Sequence, residues 1–223
     1  MPPPVVRIKG RFREQVAFFL VEHRGAVSLI DTGTPGSAKR ALEAIAKTGR
    51  KPEDVRQIVL THCHGDHTGE AKRLQEATGA MVVAGAEDVG AIEGTAPYPG
   101  PPGRIAGRVF GGLSKFARLP VDHGVSDREH LDGGLVALPA PGHTAGHMVV
   151  HAPDLDTIFV GDLVWHVGPV KPSWEPLTQD VARNAESIRE IAALDVARVV
   201  VAHGSPITGE RLKQLARKLR AKN

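Results

Sequence analysis

The sequence predicts a mixed α/β (α+β) fold in which two β-sheets are flanked by helices. Three observations predict it. Both halves of the chain carry apolar strand-like runs punctuated by helical segments, the pattern that layered sheets and helices produce. The strand-like runs are short and rich in Val, Ile and Leu, as buried strands are. The 223 residues, 41% hydrophobic and 24% charged, suit one domain spanning 1–223 that buries a real core.

The elements follow in order. "QVAFFLVEH" (15–23) and "AVSLIDTG" (26–33) are β-rich runs joined by Arg24-Gly25, a hairpin signal. Residues 37–49 place Ala38, Ala41, Leu42 and Ile45 at helical spacing, and Gly49 stops the helix. "RQIVLTH" (56–62) is a short buried strand. A helix over 68–79, a strand over 80–85 and a short helix over 86–94 complete the first half.

Residues 95–129 are rich in Pro and Gly and weakly periodic. A segment this long inside a compact domain is read as a lid or substrate loop, or else as a surface excursion packed on the core. Ile105, Val109, Leu113 and Phe116 would share one face of a helix within 104–117. Beyond it, strands are expected at 134–139, 147–152 and 157–161, with a turn at 152–157. A helix over 177–195 carries Val181, Ile188, Ile191 and Leu194 on its inner stripe. A buried strand at 197–203 and an amphipathic helix at 208–221 end the chain.

Composition excludes several classes. The formal net charge is +3, and the one basic concentration is Arg211, Lys213, Arg217, Lys218, Arg220 and Lys222 near the end of the chain. At helical spacing that is a solvated face. With only nine aromatic residues there is no stacking platform for nucleic acid, so none is expected as a partner. A single cysteine, Cys63, excludes an intramolecular disulfide. No stretch reaches the apolar length of a membrane span, and the MPPPVVRIKG start has no apolar signal region, so a cytoplasmic chain is expected.

"LTHCHGDHTGE" (60–70) is where the sequence turns chemical. His62, His64, Asp66 and His67 crowd six positions at the end of a strand. Neutral imidazole and carboxylate are ligands for zinc and other borderline metals. One turn can serve two ions, one at His62 and His64, the other at Asp66 and His67, with Gly65 easing the backbone between them. Neither pair is complete alone. His143 in "APGHTAGH", Asp162 in "IFVGDL" and His203 in "VVVAHGSP" each follow an apolar run and are flanked by Gly or Pro, so strand ends would gather them along one edge. His147 is the competitor for His143. Cys63 should point away from its neighbours, as a small core residue. His23, His123, His130 and His151 show no partner pattern.

His62-Cys63-His64-Gly65-Asp66-His67, followed by His143, Asp162 and His203, closely resembles the metallo-β-lactamase superfamily, and "LIDTG" (29–33) matches that family's early strand. The resemblance spans about residues 12 to 215. It implies an αββα four-layer sandwich with a binuclear site at one edge. One ion would take His62, His64 and His143, and the other Asp66, His67 and His203, with Asp162 bridging both. Asp31 would orient a ligand histidine.

Two zinc ions are the expected cofactor, with iron or manganese able to occupy the same donors. Ions about 3.5–4 Å apart ionise a shared water near neutral pH. The expected reaction is therefore hydrolysis of an ester-like bond (lactone, ester or thioester) by a bridging hydroxide, with Asp66 handling a proton.

The bridging aspartate fits the glyoxalase II, lactonase and RNase Z branches and not the true β-lactamases. The chain ends about twenty residues past His203 with Tyr98 as its only tyrosine, which counts against a glutathione thioester. No segment resembles the RNA-gripping arm of RNase Z. Where lactonases carry a tyrosine shortly after the bridging aspartate, this chain has Trp165 and His166. Trp165, His166, Trp174 and Tyr98 are the candidate substrate contacts, with Arg104 and Lys171 as nearby cations. The alternative is a persulfide dioxygenase holding one iron through two histidines of the cluster and Asp162. A small-molecule substrate is expected, and the resemblance is compatible with a homodimer.

Overall fold

A computed structural model describes residues 4–10, 16–98 and 116–220 of the chain. Its strands, numbered in chain order, begin with β1 (Val5–Lys9), β2 (Ala17–His23), β3 (Ala26–Ile30), β4 (Val55–Leu60), β5 (Met81–Gly85) and β6 (His123–Val125). These pair in that order as one sheet, antiparallel from β1 to β3 and parallel from β3 to β6. Arg24 and Gly25 between β2 and β3 both take positive φ (47° and 77°), as a tight two-residue hairpin turn requires. The parallel strands need crossovers, which α1 (Ala38–Lys47), α2 (Gly65–Thr68), α3 (Ala71–Thr78) and α4 (Ala86–Glu93) supply.

The second half builds β7 (Glu129–His130), β8 (Val136–Pro139), β9 (Met148–Ala152) and β10 (Thr157–Phe159). A small ribbon of β11 (Val164–Trp165) and β12 (Lys171–Pro172) follows, then α5 (Val181–Ala192), β13 (Arg198–Val200), β14 (Ile207–Thr208) and α6 (Gly209–Arg220). The second sheet runs β14-β13-β10-β9-β8-β7.

Strand alternation divides the apolar side chains among three cores and so creates four layers. In β2, Phe18 and Leu20 face the helices of the first half, with Ile45 and Leu74, while Ala17, Phe19 and Val21 face the other sheet. Val59 in β4 and Val83 in β5 join them, opposite Met148, Val150 and Phe159. The rings of Phe19 and Phe159 meet across the interface at 5.3 Å. Val149, Ile158 and Val199 turn the other way, onto Ile188 and Ile191 of α5 and Leu212 of α6. The order helices, sheet, sheet, helices follows directly: an αββα sandwich.

The structure departs from the sequence expectations at element ends. The helix expected over 68–79 is shorter, α3 over Ala71–Thr78, and a separate turn of helix, α2, precedes it; between them lie Gly69 and Glu70, where Glu70 accepts a hydrogen bond from Gly36 N. Strand β3 ends at Ile30, because Asp31 turns the chain out of the sheet with φ 61°. The 95–129 stretch is not loop throughout. β6 extends the first sheet and β7 edges the second, although two- and three-residue strands leave no periodic trace. The two-residue strands β11, β12 and β14 are equally illegible in the sequence, and the five-residue β1, VVRIK, is an addition to the expected strands. The helix expected within 104–117 and the cation Arg104 lie, apart from Phe116 and Ala117, outside the described residues.

Candidate metal centre

Strand ends deliver the site. β4 runs into His62, α2 begins just after His64, the loops after β8 and β10 bring His143 and Asp162, and the loop after β13 brings His203. Gly65, expected to ease the backbone between the two pairs, has no positive φ. It opens α2, and this single helical turn sets Asp66 and His67 beside the preceding histidines.

All seven expected ligands converge. Their donor atoms form three groups within 4.8 Å of one another that could hold metal: His62, His64 and His143; His62, His67 and Asp162; Asp66, His67 and His203. His143 Nε2 lies 3.0 Å from His64 Nδ1. Asp162 stands between the halves. Its Oδ1 is 3.2 Å from His67 Nε2 and 3.1 Å from His203 Nε2, and its Oδ2 is 3.5 Å from His143 Nε2. Asp66 Oδ2 lies 3.4 Å from His203 Nε2 and 3.8 Å from His67 Nε2.

The donors suit a cation better than one another. His62 Nε2, His67 Nε2, His203 Nε2, Asp66 Oδ1 and Asp162 Oδ1 are buried without a hydrogen-bond partner. Such orphaned atoms cost free energy unless something satisfies them. Lone pairs from imidazole and carboxylate aimed at common points form a metal-binding donor set.

Burial, aided by neighbouring histidines, holds His62 and His143 well below the usual histidine range, and burial lowers His64. These rings are therefore neutral and present lone pairs. The other half carries opposite charges. Burial opposes charge on His67 and His203, but nearby carboxylates prevail, raising His67 well above its usual range and His203 to about 9. Burial likewise opposes ionisation of Asp66 and Asp162, but His67 and His203 hold Asp66 at about 2 and Asp162 well below the carboxylate range.

A hydrogen-bond chain aims the rings. Asp31, as expected, accepts from His67 Nδ1 at 2.8 Å, which leaves Nε2 facing the site. It also accepts from Thr61 N and Thr61 Oγ1. Thr61 Oγ1 in turn lies 3.1 Å from His62 Nδ1 and accepts from it, so one carboxylate steers ligands in both halves. Thr178 Oγ1 sits 3.5 Å from His143 Nδ1. Sequence reasoning missed both threonines. Thr61, directly before the first ligand at a strand end, carried a positional signal, whereas Thr178, distant in sequence, carried none.

His147, the competitor for His143, is fully occupied elsewhere. Its Nδ1 donates to Ala140 O and its Nε2 accepts from Asp162 N, so it supports the Asp162 loop. Gly161 permits that approach, since a Cβ there would stand 3.0 Å from His147 Nε2, and 2.7 Å from Thr61 Oγ1. Cys63 points into the helix-side core, and burial pushes its thiol up.

Around the donors, the Trp165 ring stacks 4.4 Å from that of His203, and Tyr98 lies 5.8 Å from His64. Burial raises the Tyr98 hydroxyl far above its usual range. His166 Nδ1 donates to Ser205 O, which anchors its loop, and Trp174 is 41% exposed.

The comparisons agree with this arrangement. Residues 11–203 match the family model described as the metallo-beta-lactamase superfamily. A "Probable metallo-hydrolase YflN" of Bacillus subtilis is 27% identical over 83% of this chain and 78% of its own length. A "Hydroxyacylglutathione hydrolase" of Hyphomonas neptunium is 30% identical over 67% of this chain. The chain spans 48% of that relative's length. The crystal structure of a metallo-beta-lactamase family protein from Thermus thermophilus superposes with a TM-score of 0.75, at 22% identity, over 99% of this chain and 79% of that one, a likeness of fold. The sandwich, the donors at its edge and the family match across 11–203 place this chain in the metallo-beta-lactamase superfamily.

Proposed function

We propose that the chain is a binuclear metal-dependent hydrolase, with zinc as the resident metal, that cleaves a carboxylic ester-like bond (lactone, ester or thioester) of a small, partly apolar substrate. One observation carries the reading: the two oxygens of Asp162 are divided between the two donor groups, Oδ1 toward His67 and His203, Oδ2 toward His143. A carboxylate so placed is suited to bridge two cations. When bound, the ion pair supplies an ionised water and polarises the substrate carbonyl.

The chain's own residues would do the rest. Asp66, held at about 2 by its histidine neighbours, is a carboxylate at neutral pH and able to accept a proton. Trp165 beside His203 and Tyr98 beside His64 would give apolar surface to the acyl portion. Cys63, the sole thiol, is buried in the core and unavailable as a nucleophile. The likeness to a hydroxyacylglutathione hydrolase and to a probable metallo-hydrolase supports a hydrolytic reaction.

A second reading, a mononuclear iron oxidoreductase of the persulfide dioxygenase kind, draws on the His62, His67 and Asp162 group, since two histidines and a carboxylate also suit non-haem iron. It leaves Asp66 and His203 without employment. Metal analysis of purified protein, paired with a lactone, ester and thioester panel, decides. Two zinc ions per chain with turnover of at least one such bond are expected. A two-zinc protein inert across the panel contradicts the hydrolase reading, and one iron per chain with persulfide oxidation favours the second.

A further inference from the structure

We propose that Asp88 is a positioning residue that locks the two segments of the His62, His64 and His143 group to one another, and so sets the affinity of that half of the centre alone. The inference rests on the two-ion reading above.

Asp88 lies in the first turn of α4, outside every donor group, and is 1% exposed. Among the described residues it forms no ion pair. Its carboxylate instead accepts three hydrogen bonds. Oδ2 takes Cys63 N at 2.9 Å and Thr144 Oγ1 at 2.6 Å, and Oδ1 takes Gly146 N at 2.9 Å. Cys63 sits between His62 and His64, and Thr144 directly follows His143. One side chain therefore joins the backbone that aims two ligands to the loop that aims the third.

The packing allows no slack in this strap. A Cβ on Gly146 would stand 2.3 Å from Asp88 N, and one on Gly85 would stand 1.8 Å from Gly146 O. Glycine is needed at both positions so that the start of α4 and the His143 loop can touch backbone to backbone. Three donors onto a buried carboxylate are strong, directional restraints. None of them reaches Asp66 or His203.

The test is stepwise zinc titration of the metal-free full chain against a chromophoric chelator, comparing wild type with Asp88→Asn and Thr144→Val. Asp88→Asn keeps the shape but turns an amide toward one donor, and Thr144→Val removes only the hydroxyl bond. The expected result is a roughly 10- to 100-fold weaker affinity for one ion in Asp88→Asn, with the other within about threefold, and a smaller one-ion effect in Thr144→Val. Circular dichroism and thermal melting report the fold independently. If Asp88→Asn does not fold, Thr144→Val alone decides by the same criterion. Two unchanged affinities, or equal weakening of both ions in a folded variant, would overturn the proposal. A wild-type chain that binds fewer than two ions would instead overturn the two-ion reading.

Discussion

Asp31 concentrates the centre's design in one residue. Its backbone takes φ 61°, which aspartate and asparagine tolerate better than most residues, and its carboxylate aims His67 directly and His62 through Thr61. Asp31→Asn keeps that backbone but weakens both supports. It should reduce metal affinity by about 10- to 100-fold, measurable by chelator competition, with the fold retained by circular dichroism. Affinity equal to wild type would show that Asp31 serves the turn alone. At this scale the seven donor residues were legible, because HCHGDH is dense and each partner follows an apolar run. Thr178 and Asp88 were not, since a hydroxyl or carboxylate that acts through another residue leaves no spacing pattern. Asp88 in particular reads as an ordinary acidic residue in a helix's first turn.

Whole elements were easier to anticipate when both faces or one stripe carried a pattern. β2, β4 and β9 are apolar on both sides because each separates two cores, and that continuous apolar run is what the sequence displays. The two-residue strands β7, β11, β12 and β14 owe their pairing to neighbours and carry no periodicity of their own. Helix α5 begins four residues later than the spacing predicts because Asp180 caps it, its side chain accepting from Arg183 N at 2.8 Å. Asp180→Ala should cost about 1 kcal/mol in urea denaturation. In the inter-sheet core, Phe159→Ala should cost about 3–5 kcal/mol, because Phe159 is 1% exposed and packs on Phe19. A loss below about 1 kcal/mol there would mean that the sheets do not depend on this contact.

At the scale of the molecule, the centre imposes a pH signature on the metal-free protein. Burial lowers His147 to about 4, against an unfolded value near 6.5. Between those values the unfolded chain binds a proton that the folded chain refuses, so stability falls as pH drops from about 6.5. The effect of this residue is on the order of 3 kcal/mol. His62 and His143 act in the same direction. His203 has the opposite sign. Raised to about 9, it contributes stability that is complete below about 6.5 and is lost as pH rises through 9. Urea midpoints of metal-free protein should therefore peak near pH 6.5 and fall toward both pH 5 and pH 9, and a steady rise across that range would contradict the assignment.

Where the cations sit is measured directly by anomalous X-ray scattering at the zinc edge, from crystals of the zinc-loaded chain. Two peaks are expected, one among His62, His64 and His143, the other among Asp66, His67 and His203, with Asp162 in contact with both. A single peak, or zinc bound away from these residues, would contradict this arrangement.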